Sequence, residues 1–209
     1  PANAISLFSN AYTNRTVDTW SAGWDNADVT DTTIAGNDVK KYSNLTFAGI
    51  EFTSATVDAS ATTHVHFDYW SPDATTGGAG FKFKLVDFGA NGTFGGGDDT
   101  EHELTFNASS VPALAQGSWV SFDIPFTSFT GLAARAHLAQ IVLVGDDPIN
   151  TVFLDNIYFY TNTAPTVPLT AAPTPTYAAG DVIALFSNPY TNVTVDTWSA
   201  GWDNADVAD

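Results

Sequence analysis

The chain has 209 residues with neither Cys nor Met, and 23 acidic residues face six basic ones, for a formal net charge of −17. Nucleic acid, whose phosphates need Lys and Arg, is excluded as a partner, and anionic membrane surfaces are disfavoured. No cysteine means no disulfide framework and no thiolate metal site, and no stretch reaches the ~18 apolar residues needed to span a bilayer. What remains open is a neutral ligand, a cation, or solubility alone.

The first feature along the chain is a duplication. Ile5–Asp31 matches Ile183–Asp209 without gaps at a constant offset of 178, and four of the 27 paired positions differ: Ser6/Ala184, Ala11/Pro189, Arg15/Val193 and Thr30/Ala208. A fixed long offset marks tandem modules, and this period is far above the roughly 20–50 residues of solenoid repeats. Each copy opens on the string TVDTWSAGWDNADV, in which Trp20 and Trp24 flank a Ser-Ala-Gly turn. The second copy stops in mid-pattern at Asp209, so it is expected to be truncated. Exposed Trp rings stack on the apolar faces of pyranose rings, whereas buried ones anchor a core. Both uses stay open for Trp20 and Trp24.

Strand patterns follow. In THVHFDYW (63–70), His64, His66, Asp68 and Trp70 alternate with Val65, Phe67 and Tyr69. In FKFKLVDF (81–88), Lys82 and Lys84 alternate with Phe81, Phe83 and Leu85, and in EHELTF (101–106) Glu101 and Glu103 alternate with His102 and Leu104. WVSFDIPF (119–126), AQIVLVG (139–145) and NTVFLDNIYFY (150–160) complete the set. Short alternating strands separated by Gly, Pro, Asn and Asp predict an all-β fold, a β-sandwich of the jelly-roll kind. If the first three strands lie side by side, their polar residues form one face for sugar hydroxyls, or an ordinary solvated face of charge pairs.

Between the second and third of these strands lies DFGANGTFGGGDD. Against a calcium-binding loop, Asp87, Asn91, Gly92 and Asp98 fall at ligand or turn positions, with Asp99 as a further oxygen donor. Gly89 stands where a side-chain ligand is needed and no helices flank the loop, so it is not an EF-hand. It is either a hard-cation site or a solvated glycine-rich connection. Glu101 and Glu103 sit two apart on one strand, which reads as a charge ladder and not as the carboxylate pair of a glycosidase. With no nucleophile elbow or zinc-binding helix in view, no enzyme is expected.

Residues 161–180, TNTAPTVPLTAAPTPTYAAG, are uncharged and rich in Pro, Thr and Ala, a semi-rigid extended linker. The organisation predicted is therefore a module at 1–160, a linker at 161–180 and the start of the next repeat at 181–209.

LFSNAYTNRTVDTWSAGW, IAGNDVKKYSNLTFAGIEF, FKLVDFGANGTFGGGDDTEHELTF, WVSFDIPFTSF and TVFLDNIYFY together resemble a β-jelly-roll module of secreted Bacteroidota proteins, often attached to family 16 glycoside hydrolases of the laminarinase type. The resemblance covers about residues 5–160. It implies a non-catalytic carbohydrate-binding module for a β-glucan polysaccharide, on a secreted or cell-surface bacterial protein. It also implies a structural calcium with one ligand from the last strand, Asp155 here. The tandem copy adds a second expectation: a structural repeat of a surface adhesin or extracellular filament, in which residues 183–209 complete a neighbouring copy of the module.

Overall fold

One strand changes layers, and the module is organised around that change. β3 (Asn37–Glu51) pairs through Lys40, Lys41 and Tyr42 with Leu154, Phe153 and Val152 of β9 (Val152–Tyr160). Its second half pairs with β8 (Leu138–Asp146), from Phe47 opposite Val144 to Glu51 opposite Gln140. Asn44, between the halves, has φ 52°, a left-handed conformation that Asn tolerates better than most residues. The computed structural model describes residues 1, 3–163, 168, 170–200, 202 and 207.

The other strands are β1 (Ile5–Phe8), β2 (Asn26–Ile34), β4 (His64–Trp70), β5 (Gly80–Asp87), β6 (Thr100–Phe106) and β7 (Val120–Pro125). Their hydrogen-bonded order is β6-β5-β8-β3-β9-β4-β7, with β1 on β9 and β2 on β3. β2 returns into β3 through Ala35 and Gly36, at φ 52° and 87°. Two positive φ values in a two-residue loop are what a type I′ hairpin turn requires.

The path curls on itself and becomes an all-β sandwich. One layer is β6-β5-β8 with the end of β3; the other is β7-β4-β9 with β1 and the start of β3. Aromatic residues fill the space between. Phe67 of β4 stacks on Phe83 of β5 with centroids 4.5 Å apart, and on Phe122 of β7 at 4.9 Å. Leu7, Tyr42, Leu45, Ile50 and Phe52 close the same core and are all essentially inaccessible.

Residues Pro1–Thr163 and Ala164–Asp209 form separate units. The second repeats the local structure of the first copy of its sequence. Ala184 bridges Asn192 as Ser6 bridges Asn14. Val193 N donates to Ala184 O at 2.8 Å, as Arg15 N donates to Ser6 O at 2.7 Å. Phe186 meets Trp198 edge-on at 5.9 Å, as Phe8 meets Trp20 at 5.5 Å. Two things differ: Ile5–Phe8 forms a strand on β9, whereas Ala184 makes only an isolated bridge, and Leu7 is 2% exposed while its counterpart Leu185 is 56% exposed.

Candidate functional site

The outer face of the β6-β5-β8-β3 layer is built from alternate residues of four strands. Glu101, Val86, Gln140 and Glu51 run across it in one row, and Glu103, Lys84, Val142 and Gly49 in the next. Val86 packs with Phe88 and Ala139 in a small apolar patch on this face, away from the main core.

Trp24 borders the face. Its turn is held by Asp25, whose Oδ2 accepts from Ala22 N at 2.8 Å and Gly49 N at 2.9 Å, while Oδ1 accepts from Ser21 Oγ at 3.0 Å. The indole lies over Gly49 and stacks on Phe47 with planes 15° apart. Its Nε1 donates to Glu51 Oε1 at 2.9 Å, and Gln140 Nε2 donates to the same oxygen at 2.9 Å. The ring is thus fixed at one edge and half exposed, at 49%.

Phe94 stands at the opposite border, on the glycine-rich loop between β5 and β6. It is exposed and contacts the buried Phe88 at 5.7 Å. Between the two aromatics runs a groove of about 740 Å³ floored by Lys84, Glu51, Gln140 and Glu101. Lys84 Nζ lies 3.2 Å from Glu101 Oε1. Aromatic borders with a floor of hydrogen-bonding groups suit an extended, polar, uncharged chain.

The single polar face expected from three neighbouring strands does not form. β4 belongs to the other layer, so His64, His66, Asp68 and Trp70 point away from Lys82, Lys84, Glu101 and Glu103. The Phe67–Phe83 stack shows why: the apolar faces of β4 and β5 meet in the core, which sends their polar faces in opposite directions. Of the ten binding residues read from sequence, Trp24, Lys84 and Glu101 line the groove. Lys82 pairs with Asp146 at 3.2 Å, and Glu103 is exposed on the same face. Trp20 lies elsewhere: it packs against the core, meets Phe8 edge-on and carries Lys40 Nζ 4.6 Å from its centroid. Trp70 packs edge-on against Phe153 at 5.2 Å.

On the other layer, His66 is knitted into a cluster. Its Nδ1 is 2.8 Å from Asp123 Oδ1, its Nε2 is 3.5 Å from Asp68 Oδ1, and its ring stacks on Tyr158 at 4.6 Å. Burial alone pulls the imidazole toward neutrality, but the hydrogen bonds and charges of Asp68 and Asp123 outweigh it and raise its pKa. Both aspartates are lowered: burial works against this, and hydrogen bonds from His66 with Ser121 and Asn156, or with Tyr160, prevail.

The five residues assigned to calcium do not come together. Asp87 is fully buried, and its oxygens accept from Gly89 N at 2.9 Å and His137 N at 2.7 Å. Asp98 accepts from Asn91, and Asp99 Oδ2 accepts from Gly95 N at 2.6 Å. The buried side-chain oxygens near the loop without a hydrogen-bond partner are Asp99 Oδ1 and Thr100 Oγ1. Asp155 sits in the other layer, accepting from Asn37 Nδ2 and from Asn156 N at 2.6 Å. Burial, with the charges of Asp68 and Asp38, raises its pKa. Among the described residues, no three His, Asp or Glu side chains are grouped to hold a metal, and the five residues expected from the sequence do not form one site.

Glu51, Gln140, Phe94 and Gly49 were not singled out from the sequence. One signal was available: a glycine inside a strand marks a close approach, and here Trp24 makes it.

No protein-family model matches the chain, and no curated protein matches it significantly. Among solved structures, it is similar to a family 11 carbohydrate-binding module of cellulosomal cellulase Lic26A-Cel5E of Clostridium thermocellum, with TM-score 0.53 and 16% identity over 79% of this chain and 98% of that one. A family 30 module of cellulosomal cellulase Cel9D-Cel44B of the same organism gives TM-score 0.55 and 10% identity over 78% and 99%. A module described as specific for non-crystalline cellulose gives TM-score 0.50 and 19% identity over 68% and 87%. The fold is therefore the β-jelly roll that these carbohydrate-binding modules share.

Proposed function

We propose that the chain is a non-catalytic carbohydrate-binding module of an extracellular multimodular protein, and that the Trp24 groove holds a neutral β-glucan chain. The observation that carries this is the posture of Trp24. Its ring is half exposed, and its position is fixed from below by Gly49 and at the edge by Glu51, so stacking on a sugar costs no reordering of the side chain. Lys84, Gln140 and Glu101 supply donors and acceptors for hydroxyl groups. The shared fold of solved carbohydrate-binding modules supports the reading, as does the scarcity of basic residues, which disfavours anionic polysaccharides. The groove's two carboxylates do not read as a hydrolytic pair: Glu51 already accepts from Trp24 and Gln140, and Glu101 is paired with Lys84. The test is binding of soluble β-glucans by the chain and by Trp24→Ala, with a parallel assay for released reducing ends. Binding without release is expected, and loss of binding on Trp24→Ala.

The duplicated segment favours a second reading alongside the first. Residues 183–200 keep the Ala184–Asn192 bridge and the Phe186–Trp198 contact of the first copy, with Ile183, Leu185 and Phe186 exposed. A structural repeat of an adhesin or filament, with residues 183–209 completing a neighbouring copy, would use them. Residues 201, 203–206, 208 and 209 of that segment lie outside the described residues. Concentration-dependent assembly abolished by Leu185→Asp supports this reading, and a monomer at all concentrations removes it.

A further inference from the structure

A second pocket lies on the opposite face of the module, over the β7-β4-β9 layer. It has a volume of about 250 Å³. That is room for one sugar ring, against about 740 Å³ in the Trp24 groove. One wall is Ile34, at the tip of the β2–β3 hairpin and 41% exposed; Trp119, just before β7 and 44% exposed, also lines it. The remaining lining is the buried Val39 and four polar residues, Asn37, Asp68, Ser121 and Asp155.

These polar groups are held before any ligand arrives. Asn156 ties the two carboxylates together, its backbone N donating to Asp155 Oδ1 at 2.6 Å and its side-chain Nδ2 to Asp68 Oδ2 at 2.8 Å. Asn37 donates to the other oxygen of Asp155, and Ser121 Oγ donates to Asp68 Oδ1. Asp155 itself is 4% exposed. Asp68 Oδ1 faces both Ser121 and His66, whereas Asp68 Oδ2 and the two oxygens of Asp155 each keep a lone pair beyond the one donor named. Fixed acceptors at low exposure, with a large aromatic and an aliphatic side chain beside them, match a pyranose: C–H faces for the walls and hydroxyl donors for the floor. A hydrated cation has no use for the Ile34 and Trp119 walls.

We infer that this pocket is a second carbohydrate site, taking a single terminal pyranose ring between Ile34 and Trp119. It is independent of the Trp24 groove and lies on the outer face of the other layer. One module would then engage a polysaccharide chain on one face and a sugar end on the other, which multiplies avidity when both ends are reachable.

The test is a nitrogen–proton NMR titration of the full chain with methyl β-glucopyranoside, following the indole signals, with Trp119→Phe used to assign its own. The Trp119 indole is expected to shift saturably with a dissociation constant on the order of millimolar. Trp119→Ala should abolish the response of the Asn37 side-chain amide, and Trp24→Ala should leave it intact. A Trp119 signal that stays still, or moves linearly without saturation, overturns the site. So does a response to calcium in place of the sugar. Failure of the groove leaves this result unchanged, because the readout is local to Trp119.

Discussion

The indole of Trp24 lies against the backbone of Gly49, so close that a β-carbon on Gly49 would stand 2.4 Å from Cζ2 and 2.5 Å from Cη2 of the ring. No other residue type fits beneath that ring without moving it. Gly49→Ala should therefore act on binding through Trp24. We expect it to weaken β-glucan binding about as much as Trp24→Ala, by roughly tenfold or more, since each ~1.4 kcal/mol is tenfold. Calorimetry on both variants checks this, with the tryptophan emission of Gly49→Ala reporting the displaced ring. Unchanged affinity in Gly49→Ala would separate the ring from the site.

Lys84 and Glu101 make an exposed ion pair, which contributes at most about 1 kcal/mol to stability. Lys84→Ala should leave the melting temperature within about 2–4 °C of the parent and still weaken glucan binding several-fold. Equal affinity with an intact melt would make the pair a solvated ladder and take it out of the groove's function.

His66 gives the module a pH signature. Its folded pKa is raised above the ordinary value of 6.5, so the stability it contributes is complete below about pH 6.5 and is lost as pH rises through the folded pKa. Asp68 and Asp123 are lowered below 3.8, so their contribution is present above that value and is lost as pH falls through their folded pKa values. The melting temperature should therefore be higher near pH 6 than near pH 8. His66→Gln should flatten that difference; a slope that persists in His66→Gln assigns it to other groups.

The alternation of apolar and polar residues made six strands legible to within two residues, because each keeps one face in the core along its whole length. β3 was not legible as a strand of two layers, since its periodicity breaks at Asn44 where it passes from β9 to β8. β2 is exposed at most positions, so it carries no apolar stripe. The harder loss was sheet order. His64–Asp68 and Lys82–Lys84 alternate in the same way, and only the contact of Phe67 with Phe83 reveals that they face opposite directions. Trp24 was legible as a candidate; Glu51 and Gln140 were not, since strand pairing and not sequence proximity brings them under its Nε1.

Asp87 separates a structural carboxylate from a metal ligand. Its two oxygens hold the N–H groups of Gly89 and His137 in a fully buried setting. Asp87→Asn replaces one acceptor with a donor and should cost about 2 kcal/mol or more, read in urea unfolding. Millimolar calcium should leave that difference unchanged. A calcium-induced rise in stability in the parent alone would return Asp87 to a cation site.

The most direct test of the central claim is isothermal titration of a soluble β-glucan into the full chain and into Trp24→Ala, both shown to be folded by circular dichroism. Saturable binding by the parent, weakened about tenfold or more in Trp24→Ala, is the result expected of a groove built on this ring. No heat with any β-glucan, or equal affinity in the two proteins, contradicts it.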